Sequence, residues 1–468
     1  MISTLGVILL IIYLILFVVA IACKRVQTFK LDVLIGCISV SLFVNVGNFF
    51  LNFSFTEVGY IVCIVTSIIA WLVNRVKHIY VEKKCAYWFT FMICVMLVGL
   101  LHLRLSNNMP DVLSMDINMD QAYYGMQYAK KASLSVYNWI AFRDLILFSV
   151  VLLMYKKELS DTEIVNSLLE SVRKAFYVFF ILASIEFILN NIVSPTLVRD
   201  FVISIVGTMD KAKTYYPEAR FGYYGITVFF AEQSYVSVLL IYYTIVWKNG
   251  INNNKDLIFY ILSIAVLFMS GSSTGVLLIP FALIVFIKEA IKQKKRTIVN
   301  LFEQFFIVAV VFTGVYLIVA NPIYFAKYLN STIMKAGALL NGGTYTNNAV
   351  LASGATRNYA NGIAMNAFLQ SPFLGVGIGG TRGYGVFSGI LATFGLLGIG
   401  AFVGYLNSII GMTIRKKIAL ASLLFVYLSV AFSVWYVYML AFIPLYLVFQ
   451  DSDRLKSVNL IGEDNVKS

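Results

Sequence analysis

The residues of this 468-residue chain best suited to chemistry are cations in a stretch that has no anions. From Gln304 through Gln450 there is neither Asp nor Glu, yet Lys327, Lys335, Arg357 and Arg382 fall within it. Cations with no carboxylate nearby to neutralise them favour an anionic ligand, and a forked guanidinium matches phosphate oxygens well. Contact with lipid headgroups is the alternative use of these charges. The same stretch contains "ATRNYANGIAMNAFLQSPFLGVGIGG" over residues 355–380. Ala360, Ile363, Ala364, Ala367 and Phe368 recur there at helical spacing, and Pro372 closes the pattern. The expected helix covers 357–370, lies on or dips into a membrane surface, and takes Thr356 as its N-cap. Arg357 then falls in the first turn, where a cation opposes the helix dipole unless an anion sits between it and the free N–H groups. An arginine that simply reaches for water is the other reading.

Gly375, Gly377 and Gly380 spell G-x-G-x-x-G. A dinucleotide site needs a strand before it, a βαβ helix after it and an acid about twenty residues further on. An apolar span follows instead, and the region has no acid. The glycines therefore read as a flexible turn that lets backbone approach a ligand or re-enter the membrane, which makes Gly375 and Gly377 binding candidates. A second basic group, Lys211, Lys213 and Arg220, precedes "FGYYGITVFFAEQS", in which Glu232 lies inside an apolar run. An ionisable group there is costly and is a functional candidate, or else it pairs with Arg143 or another polar helix position. Arg143, Asp144 and Glu186 are further charges inside apolar runs and read as mutually paired. Metal chemistry has few ligands to use. There are two histidines, His78 and His102, and Cys23, Cys37, Cys63, Cys85 and Cys94 form no CxxC pair, so neither a zinc site nor a disulfide framework is expected.

The elements that carry these residues are set by composition. Hydrophobic residues make up 60% of the chain and charged residues 13%, which excludes an ordinary soluble domain. Apolar runs long enough to cross about 30 Å of hydrocarbon predict roughly thirteen helices in one polytopic, all-α membrane domain over 1–468. They fall at about 4–22, 31–51, 58–73, 85–103, 138–154, 175–193, 223–247, 257–270, 276–287, 298–320, 386–411, 418–432 and 435–449. Alternate connections carry 24 and 11 Lys and Arg. The richer set is expected in the cytoplasm, leaving the N-terminus outside and the C-terminus inside. The net charge of +13 then reports topology and needs no nucleic-acid partner. Three external segments are long, at 104–137, 194–222 and 321–385, and long loops are usually functional or disordered. Their many tyrosines suit either interface anchoring or stacking on sugar rings.

Arg220 before a glycine and a span with "AEQS", "MSGSSTG" opening a hairpin, an external arginine ahead of "SPFLGVGIGG", and "FGLLGIGAF" at the start of the next span come in that order. Over roughly residues 215 to 410 the chain thereby resembles the Wzy-type O-antigen polymerase and ligase superfamily. The resemblance implies a multi-pass GT-C-type glycosyltransferase of the bacterial cytoplasmic membrane. It would act on the outer face and move a glycan from an undecaprenyl-pyrophosphate carrier onto another lipid-linked repeat unit, with a chain-length regulator as a further partner. Family arginines match Arg220 and Arg357. The ligases use a histidine in the large external loop, and no histidine occurs between 321 and 385. Departure of a lipid pyrophosphate leaves negative charge to be stabilised. Arg357 and Arg220 are expected to do this without a metal or cofactor, helped by Lys211, Lys213 and Arg382. Glu232 is the first candidate to accept the attacking hydroxyl's proton, followed by Glu218 and the Asp111, Asp116 and Asp120 group. A ligase and a lipid-linked oligosaccharide flippase are the alternative functions.

Overall fold

Helices dominate because backbone N–H and C=O groups have no water to bond at bilayer depth and must satisfy one another within a segment. The computed structural model describes residues 4–41, 53, 55–73, 81–113, 129–160, 162–206, 219–220, 223–227, 254–271, 349–381 and 386–410. The helices are α1 (Thr4–Ala22), α2 (Val26–Ser41), α3 (Phe55–Val73), α4 (Lys83–Leu105), α5 (Val136–Met154), α6 (Thr162–Ile192), α7 (Leu197–Val206), α8 (Asn254–Met269), α9 (Ala349–Gln370) and α10 (Val386–Ile410). Five described stretches are long and apolar enough to cross a bilayer: Thr4–Ala22, Lys83–Leu105, Val136–Met154, Arg173–Ile192 and Ser388–Ile409. The protein is a helical membrane protein. The expected spans at 276–287, 298–320, 418–432 and 435–449 lie outside the described residues.

The described residues are mostly helical, as the all-α expectation has it, and the connections add two short strand pairs. Strands β1 (Asp111–Leu113) and β2 (Ala129–Lys131) pair antiparallel, as do β3 (Ala219–Arg220) and β4 (Tyr223–Tyr224). The seventh expected span, 223–247, does not start as a helix, because residues 223–227 are strand and extended chain. α2 begins at Val26, before the expected 31, since α1 ends in a tight turn with Lys24 at φ 54. In that turn the Arg25 N–H donates to Ala20 O at 2.8 Å and the Lys24 N–H to Ile21 O at 3.1 Å, the pairing that closes a helix end and lets the chain reverse.

α4 and α10 run antiparallel, and small residues on α10 permit their close approach. Cys85 Sγ donates to Ser408 O at 3.2 Å, and a Cβ at Gly404 would lie 2.3 Å from the Trp88 ring. α3 packs on α5 through Tyr60 and Phe148, whose rings are 6.1 Å apart. One end of this bundle gathers residues of three basic connections: Lys30 pairs with Glu158, and Lys156 pairs with Glu82 and donates to Ser408 O at 3.3 Å. Hydrogen bonds from Lys156 and Cys85 hold the Glu82 carboxyl below its usual range. The opposite end joins segments 104–137 and 349–381, where β1 lies against α9. Both are among the segments expected outside.

Candidate functional site

The arginine-bearing helix is longer than its apolar stripe. α9 starts at Ala349, so Thr356 is not its N-cap and Arg357 lies more than two turns inside. The expected first-turn anion site is thereby corrected: the free N–H groups of α9 belong to residues 349–352, away from Arg357. Helix continues upstream because "AVLASGA" is rich in alanine and leucine and holds no breaker stronger than one glycine. The stripe faces protein rather than a membrane surface. Ala364 and Ala367 are buried with Leu103, Met109, Val112, Ala132, Val376 and Ala392, and Ala360 is buried with Leu113. The β1–β2 hairpin of the 104–137 segment is therefore the cover over α9, and Ala132 N–H closes it on Pro110 O at 2.9 Å.

After α9 the chain turns back as a buried plug, built from the glycines. Gly375, Gly377 and Gly379 have φ of +64, +76 and +72, a region L-residues with a Cβ avoid. A Cβ on Gly375 would stand 2.4 Å from Ala392 O, and one on Gly379 would stand 2.6 Å from Tyr137 O. The plug thus packs backbone to backbone against α10 and α5, which fixes a turn that the sequence suggested was flexible. Its hydrogen bonds show why. α10 is broken at Gly395, with φ 59 and ψ −179. The Leu396 and Leu397 N–H groups donate to Pro372 O at 2.9 Å and Phe373 O at 3.0 Å, while Ala392 O accepts from the Val376 N–H at 2.7 Å. Asn138 of α5 donates from Nδ2 to Ile378 O at 2.8 Å, and its Oδ1 accepts from the Ser135 N–H at 2.8 Å.

Arg220 lies on a second fixed backbone. It pairs with Tyr223 across β3–β4, and the chain onward to Thr227 is strapped across the ends of α6 and α8. Asn191 of α6 donates to Tyr224 O at 2.9 Å and accepts from the Tyr224 N–H at 2.7 Å, taking the part of a third strand. Asn190 Nδ2 donates to Gly225 O at 3.1 Å, and the Ile226 N–H donates to Met269 O at 3.0 Å. Glu186 accepts from the Thr227 N–H at 2.9 Å and from its hydroxyl at 3.0 Å. The expected mutual pairing of Arg143, Asp144 and Glu186 is therefore corrected in part. Arg143 Nε donates to Asp144 Oδ1 at 3.2 Å and Nη2 pairs with Glu57 of α3, while Glu186 anchors the strap.

Arg220 and Arg357 thus have fixed main-chain positions held by different neighbours, α6 and α8 for the first, α10 and β1 for the second. Gly375 and Gly377 are buried in the plug. Glu232, Arg382, Lys211, Lys213, Glu218, Asp116 and Asp120 lie outside the described residues, and Asp111 sits on β1, exposed, opposite Lys131. Sequence reasoning missed Glu57, Asn138, Asn190, Asn191 and Gly395. The adjacent asparagines near the end of an apolar helix were the available signal, since paired amides at bilayer depth require partners. No protein-family model, curated protein or solved structure matches the chain.

Proposed function

We propose that the protein is a metal-independent membrane glycosyltransferase that polymerises polysaccharide repeat units, of O-antigen or capsule type, on the outer face of the bacterial cytoplasmic membrane. The donor is an undecaprenyl-pyrophosphate-linked glycan and the acceptor another lipid-linked repeat unit. About thirteen spans place the N-terminus outside and the C-terminus in the cytoplasm. The observation that carries the reading is an outer segment with arginine and no carboxylate, joined to a second outer segment over a plug of fixed backbone. Such a surface favours a departing pyrophosphate, and the arginine-bearing segment itself holds no carboxylate for a divalent ion, so the arginines carry the charge stabilisation. Arg220, on its strap, supplies the second cation. Glu232 takes the proton of the attacking hydroxyl, and Lys211, Lys213 and Arg382 assist with the carrier's phosphates. The order of motifs between residues 215 and 410 supports the same assignment by resemblance.

Glycan profiling of a strain carrying Arg357→Ala or Arg220→Ala tests the proposal. Each variant is expected to insert normally and lose polymer by about a hundredfold, the effect of removing one preorganised charge contact, while single repeat units still reach the final acceptor. Lysine at either position should restore only part of the activity, because it lacks the bidentate fork. Full-length polymer retained on the carrier would make the protein a ligase. Repeat units retained on the cytoplasmic face would make it a flippase.

A further inference from the structure

Where α4 begins and α5 ends, an amine and a thiol are held against each other. Cys85 is the third residue of α4, and its side chain is fully buried. Lys156 directly follows Tyr155, the residue that caps α5, and its side chain is 21% exposed. Lys156 Nζ donates to Cys85 Sγ at 3.1 Å, closer than ordinary contact between nitrogen and sulfur. Both groups are fixed from further sides. The thiol donates to Ser408 O of α10 at 3.2 Å, and Lys156 Nζ donates to the same carbonyl at 3.3 Å. The ammonium also pairs with Glu82, just ahead of α4, whose Oε2 is 3.4 Å from Cys85 Sγ.

An accessible cysteine that is oxidised goes on to react with a second thiol or with more oxidant. Here the sulfur is enclosed, and among the described residues the nucleophile in hydrogen-bonding contact with it is the Lys156 amine. Their separation is close to the span of one bridging oxygen. Dioxygen is small and apolar, so it dissolves in the bilayer that α4 enters and reaches a thiol closed to bulky or charged oxidants. We propose that Cys85 and Lys156 form a covalent modification site, at which dioxygen joins them through an N–O–S bridge. The step balances with dioxygen as the oxidant. The O–O bond, the S–H bond and two N–H bonds of the ammonium break, and one S–O and one N–O bond form. The hydrogen from sulfur and one from nitrogen leave with the second oxygen as water. Sulfur and nitrogen give up two electrons each, the four that dioxygen takes up. The other ammonium proton passes to Glu82, so a positive and a negative charge disappear together and neither is stranded. The bridge ties the start of α4 to the end of α5 beside α10, and because the sulfur stays at the sulfenyl level, thiols can reduce it again.

Peptide mapping of the full chain by mass spectrometry, after purification without dioxygen and again after exposure to it, tests this. Exposure is expected to join the peptide holding Cys85 to the one holding Lys156 with a gain of about 14 Da, one oxygen added and two hydrogens lost. Dithiothreitol should separate them again. Cys85→Ser and Lys156→Arg each keep a polar partner in place and should each abolish the link. Peptides joined with a loss of about 2 Da would carry a direct S–N bond, which overturns the oxygen bridge. Oxygen added to Cys85 alone, or peptides that stay separate after exposure, overturns the site. A link from Cys85 that persists in Lys156→Arg overturns the choice of amine. If a variant does not fold, the wild-type map still decides the matter, because fragment ions read the joined residues directly. Polymer formation is not the readout, so the bridge and the transferase proposal fail independently.

Discussion

Glycine at position 375 is there for the space it leaves. Its Cβ would fall 2.8 Å from Gly395 N as well as 2.4 Å from Ala392 O, both rigid main-chain atoms that cannot swing away. Gly375→Ala is therefore expected to destabilise the protein by on the order of 2–4 kcal/mol, read as a lowered thermal midpoint in detergent. Gly362, in the middle of α9, is the control, because a Cβ there meets nothing within 4 Å. Gly362→Ala should be neutral or stabilising by about 0.5–1 kcal/mol, the ordinary helix preference for alanine. A midpoint for Gly375→Ala equal to that of Gly362→Ala would mean that the plug is not packed as described. The charged residue scale has its own test at the opposite end of the bundle. Glu82 has a folded pKa below its unfolded one, so its contribution to stability is present above the ordinary carboxylate range and is lost as pH falls through the folded value. Wild type should exceed Glu82→Gln in midpoint near neutral pH and converge with it in acid. Because the group is largely exposed, the difference should be small and should shrink further in high salt.

Among the elements, the strap of residues 223–227 makes the most specific demand. Side chains of α6 and main-chain carbonyls of α8 hold it, and Asn191 alone supplies a donor and an acceptor to Tyr224. Asn191→Ala is expected to free the β3–β4 hairpin, so that external protease cuts near Arg220 faster while cleavage elsewhere is unchanged. Asn191→Gln, with the amide displaced by a methylene, should give an intermediate rate. Unchanged cleavage in Asn191→Ala would show that Ile226 and Thr227 suffice to hold the strap. The limits of sequence reading are clearest at this scale. Spans expected at 4–22 and 85–103 match Thr4–Ala22 and Lys83–Leu105 closely, because hydrocarbon thickness fixes the length of an apolar helix and charge marks its ends. The start of α9 was not legible: Thr356 has the chemistry of a cap, and the alanine-rich "AVLASGA" before it permits helix without requiring it. Residues 223–227 were not legible either, since an aromatic apolar run suits strand and helix equally and the decision came from Asn190, Asn191 and Glu186, distant in the chain. Arg220 and Arg357 could be singled out from charge patterning, but the burial of Gly375 depends on carbonyls of α10 that no spacing rule reveals.

For the whole molecule, the distribution of 24 and 11 basic residues between the two sets of connections makes a prediction about sidedness. Reporters fused after Gly250 and Lys294 should behave as cytoplasmic, and one after Thr346 as external. A cytoplasmic signal at Thr346 would carry α9, and the β1–β2 hairpin that covers it, to the wrong side for a lipid-pyrophosphate donor. The break in α10 has a consequence for how the chain enters the bilayer at all. Leu396 and Leu397 find their acceptors on Pro372 and Phe373, more than twenty residues earlier, so α10 alone would carry bare amides into hydrocarbon. Its release from the insertion machinery must then wait until the plug has docked. The plug and α10 then enter the bilayer as one unit, and severing the chain between the plug and α10 should leave α10 unable to settle in the membrane by itself.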